Sequence, residues 1–140
     1  YVIDFPTGAL LQHPRVISFP HLGASTGEAE ENCAVMVADQ VRDFLEDGTV
    51  RNSVNFPEAV MPRGGTGCRV TIANANVPNM VGQISTILAN AGLNIADLLN
   101  KSRGDLAYTI IDLDGSIEEG SLEALRAIEG VLSVRHLAAK

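Results

Sequence analysis

The sequence predicts an α+β fold in which an antiparallel sheet carries two helices on one face. Three observations predict it: apolar runs of strand length, longer runs with apolar residues every three or four positions, and glycines between them. The length of 140 residues suits one small domain with an additional segment. Apolar residues make up 46% of the chain and charged residues 19%, which is a globular balance.

The first half of the chain predicts short strands and one long helix. Residues 2–5 and 15–19 read as strands, the second ended by Pro20. A capping box of Ser25 and Glu28 is expected to open a helix that runs to about Asp47 and ends at Gly48 in a left-handed conformation. Residues 54–57 are expected to be extended. One buried stripe of the helix is predicted at Cys33, Val37, Val41, Phe44 and Leu45.

The second half predicts the order βαββαβ. Strands are expected at residues 69–73, 93–99, 106–113 and 131–137, with a polar hairpin turn at 101–104. A helix from about Met80 to Ala91 is closed by Gly92. A second helix opens with a capping box of Ser116 and Glu119, and its apolar positions are Leu122, Leu125 and Ile128. This order is the ferredoxin-like motif, whose sheet buries one face under its helices and leaves the other free, often for a second copy.

A glycine-rich stretch at residues 60–67 predicts a linker, because glycine and proline at this density hold neither a helix nor a packed strand. It divides the chain into a first segment at residues 1–59 and a βαββαβ domain at residues 68–140. The apolar stripe of the first segment is expected to pack on a neighbouring chain or on the free face of the sheet.

Composition narrows the class of protein. The net charge of −7 and the lack of a Lys/Arg cluster argue against nucleic acid as a partner. No apolar run approaches the roughly 20 residues of a membrane span, and no secretory signal is visible, so neither feature is expected. Cys33 and Cys68 are expected to be free thiols of a cytoplasmic protein. Asp112 and Asp114 alone do not predict a metal site.

One residue of the first segment is a candidate for catalysis. His21 follows a strand that ends in proline and precedes a glycine loop, where α/β enzymes often place reactive groups. From the residue alone, a loop histidine with a structural hydrogen bond is the simpler interpretation.

The residues around His21 add a family resemblance. Residues 13–26, HPRVISFPHLGAST, resemble the signature of the D-isomer-specific 2-hydroxyacid dehydrogenases, and residues 54–57, VNFP, are similar to their phosphoglycerate dehydrogenase branch. The resemblance implies an NAD-dependent oxidoreductase in which His21 exchanges a proton with the substrate hydroxyl. The sequence has no G-x-G-x-x-G motif, and no carboxylate is expected beside His21. The 140 residues alone are therefore expected to lack dehydrogenase activity.

The second half resembles the ACT domain that ends many phosphoglycerate dehydrogenases, through residues 72–81 and 92–96. This implies a regulatory site for a small amino acid, with L-serine as effector, between two subunits of a homo-oligomer. The residues that match the effector positions are Asn74, Asn76, Asn79 and Asn94. The chain departs from the pattern at Asn74, where serine-inhibited enzymes commonly have histidine, and at Asn79, which replaces glycine and either caps the helix or crowds the pocket.

The chemistry of these residues also indicates a ligand site, independently of any resemblance. Backbone N–H groups at the start of the helix at Met80 can receive a carboxylate, and asparagine side chains can both donate and accept hydrogen bonds. Each asparagine also has a local alternative, a hydrogen bond to its own backbone. The alternative function is an ACT domain that serves only to hold an oligomer together. A free-standing sensor is disfavoured, because it would have no use for the His21 loop.

Overall fold

A computed structural model of the chain describes residues 1–64 and 67–139, so Gly65 and Thr66 of the predicted linker lie outside the described residues. The chain forms two compact units, Tyr1–Asp39 and Gln40–Lys140. Their boundary does not coincide with residues 60–67, because it falls inside a helix. The division into segments 1–59, 60–67 and 68–140 remains a prediction.

The first unit contains two short strands and the beginning of a long helix. Strands β1 (Val2–Ile3) and β2 (Ile17–Ser18) pair in parallel, with Val2 opposite Ile17. The short helix α1 (Gly8–Leu11) lies between them in sequence and was not predicted. Helix α2 (Gly27–Asp47) begins in this unit and ends in the second.

Helix α2 has a different cap and a different environment from those predicted. Thr26 Oγ1 accepts a hydrogen bond from the Ala29 N–H at 3.1 Å, so Thr26 caps the helix and the predicted box of Ser25 and Glu28 is wrong by one residue. The helix has no buried residue, and Val41 and Leu45 are 51% and 57% exposed. The predicted burial of the stripe is therefore wrong for this chain. Apolar residues spaced three and four positions apart identify the apolar face of a helix, but not the surface against which that face packs.

The second unit has the predicted ferredoxin-like fold. Its sheet is antiparallel throughout, in the order β4-β5-β3-β6. This confirms the predicted fold class. The elements, in chain order, are β3 (Arg69–Ala75), α3 (Met80–Asn90), β4 (Ile95–Arg103), β5 (Leu106–Leu113), α4 (Glu119–Arg126) and β6 (Val131–Leu137).

Element ends agree with the sequence at the glycines and differ at two turns. Gly48, Gly92 and Gly130 all have positive φ, as helix-ending residues in the left-handed region do. The predicted hairpin between β4 and β5 is confirmed, but its turn is shorter than residues 101–104, because β4 extends to Arg103 and leaves Gly104 at the turn with φ +58°. The capping box at Ser116 is also wrong, since Glu118 is the N-cap and makes no side-chain cap bond.

One face of the sheet and two helices form the main core. Val70 and Ile72 of β3 and Ile111 of β5 have no exposed surface, and they pack against α3 and α4. The helices contribute Ile84, Leu88, Leu122 and Leu125. The predicted apolar positions Leu122 and Leu125 of α4 are confirmed, whereas Ile128 joins the same core from beyond the helix, which ends at Arg126.

The second face of the sheet is covered by the chain itself. Val50, Ala59 and Met61 pack against Tyr108 and Ile110 of β5 in a separate apolar cluster. Val50 and Ala59 form an antiparallel bridge, and the residues between them bend, so the extended stretch predicted at residues 54–57 is wrong. The prediction of a free face is therefore also wrong where residues 49–61 lie on it.

A buried arginine fixes this covering segment. Arg69 has no exposed surface and lies opposite Asp112 in the β3–β5 ladder. Its Nε and Nη2 donate to the Asp112 carboxylate at 2.6 and 2.8 Å. The remaining donors bond backbone carbonyls, at 2.9 Å to Asp47 and Met61 and at 3.0 Å to Pro62. All five N–H groups of the guanidinium thus have an acceptor.

Tyr108 predicts a decline in stability at alkaline pH. Burial under the covering segment raises its pKa. The phenol O–H donates to the Gly48 carbonyl at 2.9 Å. Its contribution is present below the unfolded pKa of about 10 and is lost as pH rises through the folded value. Urea unfolding between pH 8 and 11 is expected to show a smaller loss of the free energy of unfolding in Tyr108→Phe than in the parent chain. The control Tyr1→Phe, at a residue 76% exposed, should follow the parent chain, and an unchanged slope in Tyr108→Phe would refute the assignment.

Candidate functional site

The first candidate residue, His21, lies beyond the carboxyl end of β2. Its backbone has φ +60°, a left-handed conformation that is uncommon outside glycine. Its N–H donates to the Asp4 carbonyl at 3.1 Å, and Asp4 follows β1. Since β1 and β2 are parallel neighbours, the ends of both strands bring Asp4 and the His21 loop together.

The Asp4 carboxylate is a functional candidate that the sequence reasoning missed. Its two oxygens accept the Leu22 and Gly23 N–H groups at 2.6 and 2.7 Å. These bonds, that of Gly23 first, lower the pKa of Asp4, and the charge of His21 lowers it further. The Asp4 carboxylate is held by backbone N–H groups, so the expectation that the carboxylate that pairs with the histidine is missing stays a prediction. The available signal was an acidic residue directly after the short apolar run at Val2 and Ile3.

An open cavity borders His21 within the first unit. Its volume is about 410 Å³, and Asp4, Phe19 and His21 are among its lining residues. The Phe5 ring packs on the imidazole with ring centroids 4.1 Å apart. An imidazole held in this way can take or give a proton at a hydroxyl group in the cavity.

The second candidate site is a cavity at the start of α3. It has a volume of about 160 Å³. The structure brings three of the four predicted effector residues to it: Asn74, Asn76 and Asn79. The first turn of α3 and Asn100 of β4 also line it. Asn100 was not predicted, and its only signal was a polar residue within a strand.

Asn74 is the buried polar group of this cavity. Its side chain is almost fully covered, with 1% of the residue exposed. Nδ2 donates to the Ala75 carbonyl at 2.7 Å, while Oδ1 is buried and has no hydrogen-bond partner among the described residues. A buried acceptor without a donor costs about 1–3 kcal/mol, so Oδ1 is suited to accept from a ligand.

Asn79 stands at the N-terminus of α3 without capping it. It has φ +63° and makes no side-chain cap bond, which excludes the capping alternative. A Cβ built on Gly82 would lie 2.3 Å from Asn79 Oδ1, so the amide leans over the first turn. The first N–H groups of a helix have no intrahelical acceptor, and the helix dipole favours an anion there.

Asn76 and Asn94 occupy different places. Asn76 donates to the Gly104 carbonyl at 3.0 Å and ties the cavity rim to the β4–β5 turn. Asn94 follows the other end of α3, hydrogen-bonds the Asp114 carboxylate and does not line the cavity. Its predicted role is not met within one chain and remains a prediction for a neighbouring subunit.

Residues 1–64 and 67–139 contain no group of three or more His, Cys, Asp and Glu that could hold a metal ion. Asp112 binds Arg69 instead. Within the same ranges, no helix has the length and hydropathy needed to cross a membrane. Cys33 and Cys68 are free thiols, as predicted.

Comparison with curated proteins relates the chain to one enzyme. It is 33% identical over 133 residues to D-3-phosphoglycerate dehydrogenase of Escherichia coli K12, covering 94% of this chain and 32% of the relative. It is 30% identical over 139 residues to D-3-phosphoglycerate dehydrogenase 1 of Saccharomyces cerevisiae, covering 94% and 29%. The chain thus spans about a third of the length of these relatives. No family model matches it.

Solved structures with a similar fold include ACT domains. The ACT domain of GTP pyrophosphokinase from Chlorobium tepidum is 16% identical with a TM-score of 0.41, covering 52% of this chain and 86% of that one. The regulatory subunit of aspartate kinase from Thermus thermophilus is 13% identical with a TM-score of 0.38, covering 49% and 48%. The fold assignment itself rests on the strand order β4-β5-β3-β6 and the βαββαβ element order.

The element order and the sheet order define a ferredoxin-like domain, and an asparagine-lined cavity lies at the start of its first helix. The match to the two enzymes covers nearly the whole chain, including the His21 loop ahead of that domain. Over nearly its whole length the chain is therefore similar to D-3-phosphoglycerate dehydrogenases, of which it spans about a third.

Proposed function

We propose that this chain is the C-terminal regulatory portion of an NAD-dependent D-3-phosphoglycerate dehydrogenase, and that its ACT domain binds a small amino acid such as L-serine. The observation that carries the proposal is the Asn74 cavity. It combines a buried, unpartnered acceptor with the first turn of α3 in about 160 Å³. An α-amino acid offers the complementary pair of groups, an ammonium and a carboxylate.

The amino acid is placed by its charges. The carboxylate binds the first N–H groups of α3, with which Asn79 makes no competing cap bond. The ammonium donates to Asn74 Oδ1, which satisfies the buried acceptor. The small volume selects a short side chain, and the amide of Asn100 at the cavity wall favours one with a hydroxyl group.

The site is completed by a second subunit in this proposal. Asn94 lies outside the cavity of its own chain, and its amide is available to a neighbouring copy only if its bond to Asp114 is exchanged. Sheets that associate side by side would bring Asn94 of one copy toward the cavity of the other. Effector binding then favours one subunit arrangement and biases the distant catalytic cleft by linkage.

Calorimetric titration of the 140-residue chain with L-serine tests the proposal. We expect saturable heat for the parent chain. Asn79 leans over the first turn of α3, so Asn79→Ala tests the position of the ligand carboxylate. Asn74→Leu removes the acceptor of the ammonium group and is expected to weaken binding about 10- to 100-fold. Asn76→Ala should weaken it as well, since Asn76 forms the rim.

Asn90→Ala is the matched control, because Asn90 ends α3 far from its first turn and is exposed. Its titration should equal that of the parent chain. Absence of heat with L-serine, glycine and other small amino acids would contradict the effector proposal. That outcome would favour the assembly alternative, provided sedimentation shows an oligomer, whereas a strict monomer would contradict both functions.

The enzymatic part of the proposal concerns His21. In the parent enzyme we assign it the proton exchange with the substrate hydroxyl, and Asp4 the positioning of its loop. The nicotinamide cofactor would supply hydride transfer, but the sequence has no glycine-rich pyrophosphate turn to hold it. The residues of this chain therefore do not fit NAD by themselves, and no dehydrogenase turnover is expected from the chain alone. We also propose that the protein is a cytoplasmic homo-oligomer.

A further inference from the structure

A second cavity in the Gln40–Lys140 unit lies on the opposite face of the sheet from the asparagine cavity. Its volume is about 280 Å³, close to the lower end of the range for small-molecule sites. Residues of β3, β5 and β6 form its floor, among them Ala73 and Tyr108. The end of α2 and the segment at residues 49–56 form its walls. It shares no residue with the asparagine cavity.

The body of this cavity is shaped for a ring. Phe44, Val50, Phe56 and Tyr108 are the large apolar residues among those that line it. The Phe56 and Tyr108 rings meet edge to face with centroids 6.1 Å apart, so each ring holds the orientation of the other. One aromatic ring system with a short substituent matches the volume and the lining.

The charged groups of this cavity are all cations. Arg51 and Arg135 line it, and none of its lining residues, all of which are described, is Asp or Glu. The Arg135 guanidinium lies 4.4 Å from the centroid of the Phe44 ring and donates to the Phe44 and Leu45 carbonyls, which fixes its position. Arg51 contacts Asp43 at 3.3 Å, and its side chain is 46% exposed.

A buried donor points to the polar end of the ligand. Gln40 Nε2 is buried and has no hydrogen-bond partner among the described residues. Gln40 and Phe44 are four residues apart on α2 and share a helix face. The amide therefore lies on the same side of the cavity as Arg135, which stacks on Phe44. A ligand oxygen there would satisfy a donor that is otherwise buried at a cost.

We propose that this cavity is a second ligand site, which binds a small aromatic carboxylate independently of the amino-acid site. The ring packs between Phe44, Phe56 and Tyr108. The carboxylate accepts from Gln40 Nε2 and lies in the positive field of Arg51 and Arg135. The site joins α2 to the sheet, so its ligand ties these two elements together.

Titration of the ¹⁵N-labelled 140-residue chain with phenylacetate, followed by amide chemical shifts, tests the site. We expect saturable shifts at Phe44, Val50 and Tyr108 with a dissociation constant on the order of 1 mM. Gln40→Met keeps the length of the side chain and removes the donor; combined with Arg51→Gln, it is expected to weaken binding at least about tenfold. Arg135 is kept, because it donates to the end of α2.

Phenylacetamide, a neutral molecule of the same shape, is the matched ligand control and should bind at least about tenfold more weakly. Equal binding of phenylacetate and phenylacetamide would overturn the proposed carboxylate recognition. A Ser133→Phe variant fills the cavity from β6 and leaves the polar groups in place; it should abolish the shifts. Three results would each refute the site. In the first, phenylacetate shifts only amide signals outside the cavity; in the second, it shifts none at a concentration tenfold above the expected dissociation constant. In the third, the same shifts arise without ligand when the chain dimerises.

Discussion

Replacement of Arg69 by methionine is expected to lower the free energy of unfolding by about 3–5 kcal/mol. The guanidinium is fully buried, and its removal leaves the Asp112 carboxylate without its partner. It also leaves the Asp47, Met61 and Pro62 carbonyls without the donors that hold the covering segment on the sheet. Urea unfolding followed by circular dichroism at 222 nm measures the loss.

Two controls separate the causes of this loss. Arg126→Met removes the exposed ion pair with Glu119, and its cost should stay below about 1 kcal/mol. Adding Asp112→Leu to Arg69→Met removes the unpaired carboxylate and should recover part of the stability, but not the part due to the three carbonyls. If Arg69→Met loses no more free energy of unfolding than Arg126→Met, the buried contacts of Arg69 do not stabilise the fold as proposed.

Gly67→Ala is expected to cost about 1–3 kcal/mol or more, because the new methyl group meets backbone on the neighbouring strand. A Cβ at this position would lie 1.6 Å from the Leu113 carbonyl oxygen and 2.7 Å from its carbon. Neither atom belongs to a side chain that can rotate away. The entry of the chain into β3 must therefore shift, and with it the bond from the Leu113 N–H to the Cys68 carbonyl at 2.9 Å.

Gly64→Ala is the matched control within the same glycine-rich stretch. A Cβ there has no atom within 4 Å, so the substitution should be neutral or stabilise the chain by up to about 1 kcal/mol through the unfolded state. Hydrogen exchange of the β3 amides in the two variants provides the measurement. Equal protection in Gly64→Ala and Gly67→Ala would contradict the steric argument.

These two glycines show what a sequence cannot separate. Both lie in the stretch that predicts a linker, and composition treats them alike. The structure distinguishes them, because Gly67 lies against Leu113 of β5, a residue 46 positions away. The covering segment was missed for a similar reason. Val50 and Ala59 before the linker and Met61 within it are dispersed apolar residues, without a strand or helix period that would assign them to the sheet.

The residues of the two candidate sites also fall into those that the sequence could predict and those that it could not. Asn74, Asn76 and Asn79 were predictable because they lie within six residues of one another at a strand end and a helix start. Asn100 and Asp4 were not, since each reaches its site through pairing with a distant strand. Asn100 hydrogen-bonds Thr109 of β5 at 2.7 Å, and Asp4 receives the N–H groups of Leu22 and Gly23.

The sequence by itself determined the fold class, the element order and the helix-ending glycines, because period, cap and turn signals act over a few residues. It also placed His21 at the end of a strand and three asparagines at the start of α3. Only the tertiary structure decided that Asp4 holds the His21 loop, that Asn94 lies outside its own cavity, and that Arg69 fastens residues 47–62 to the sheet. These features depend on strand pairing and burial between distant residues, which no local period encodes.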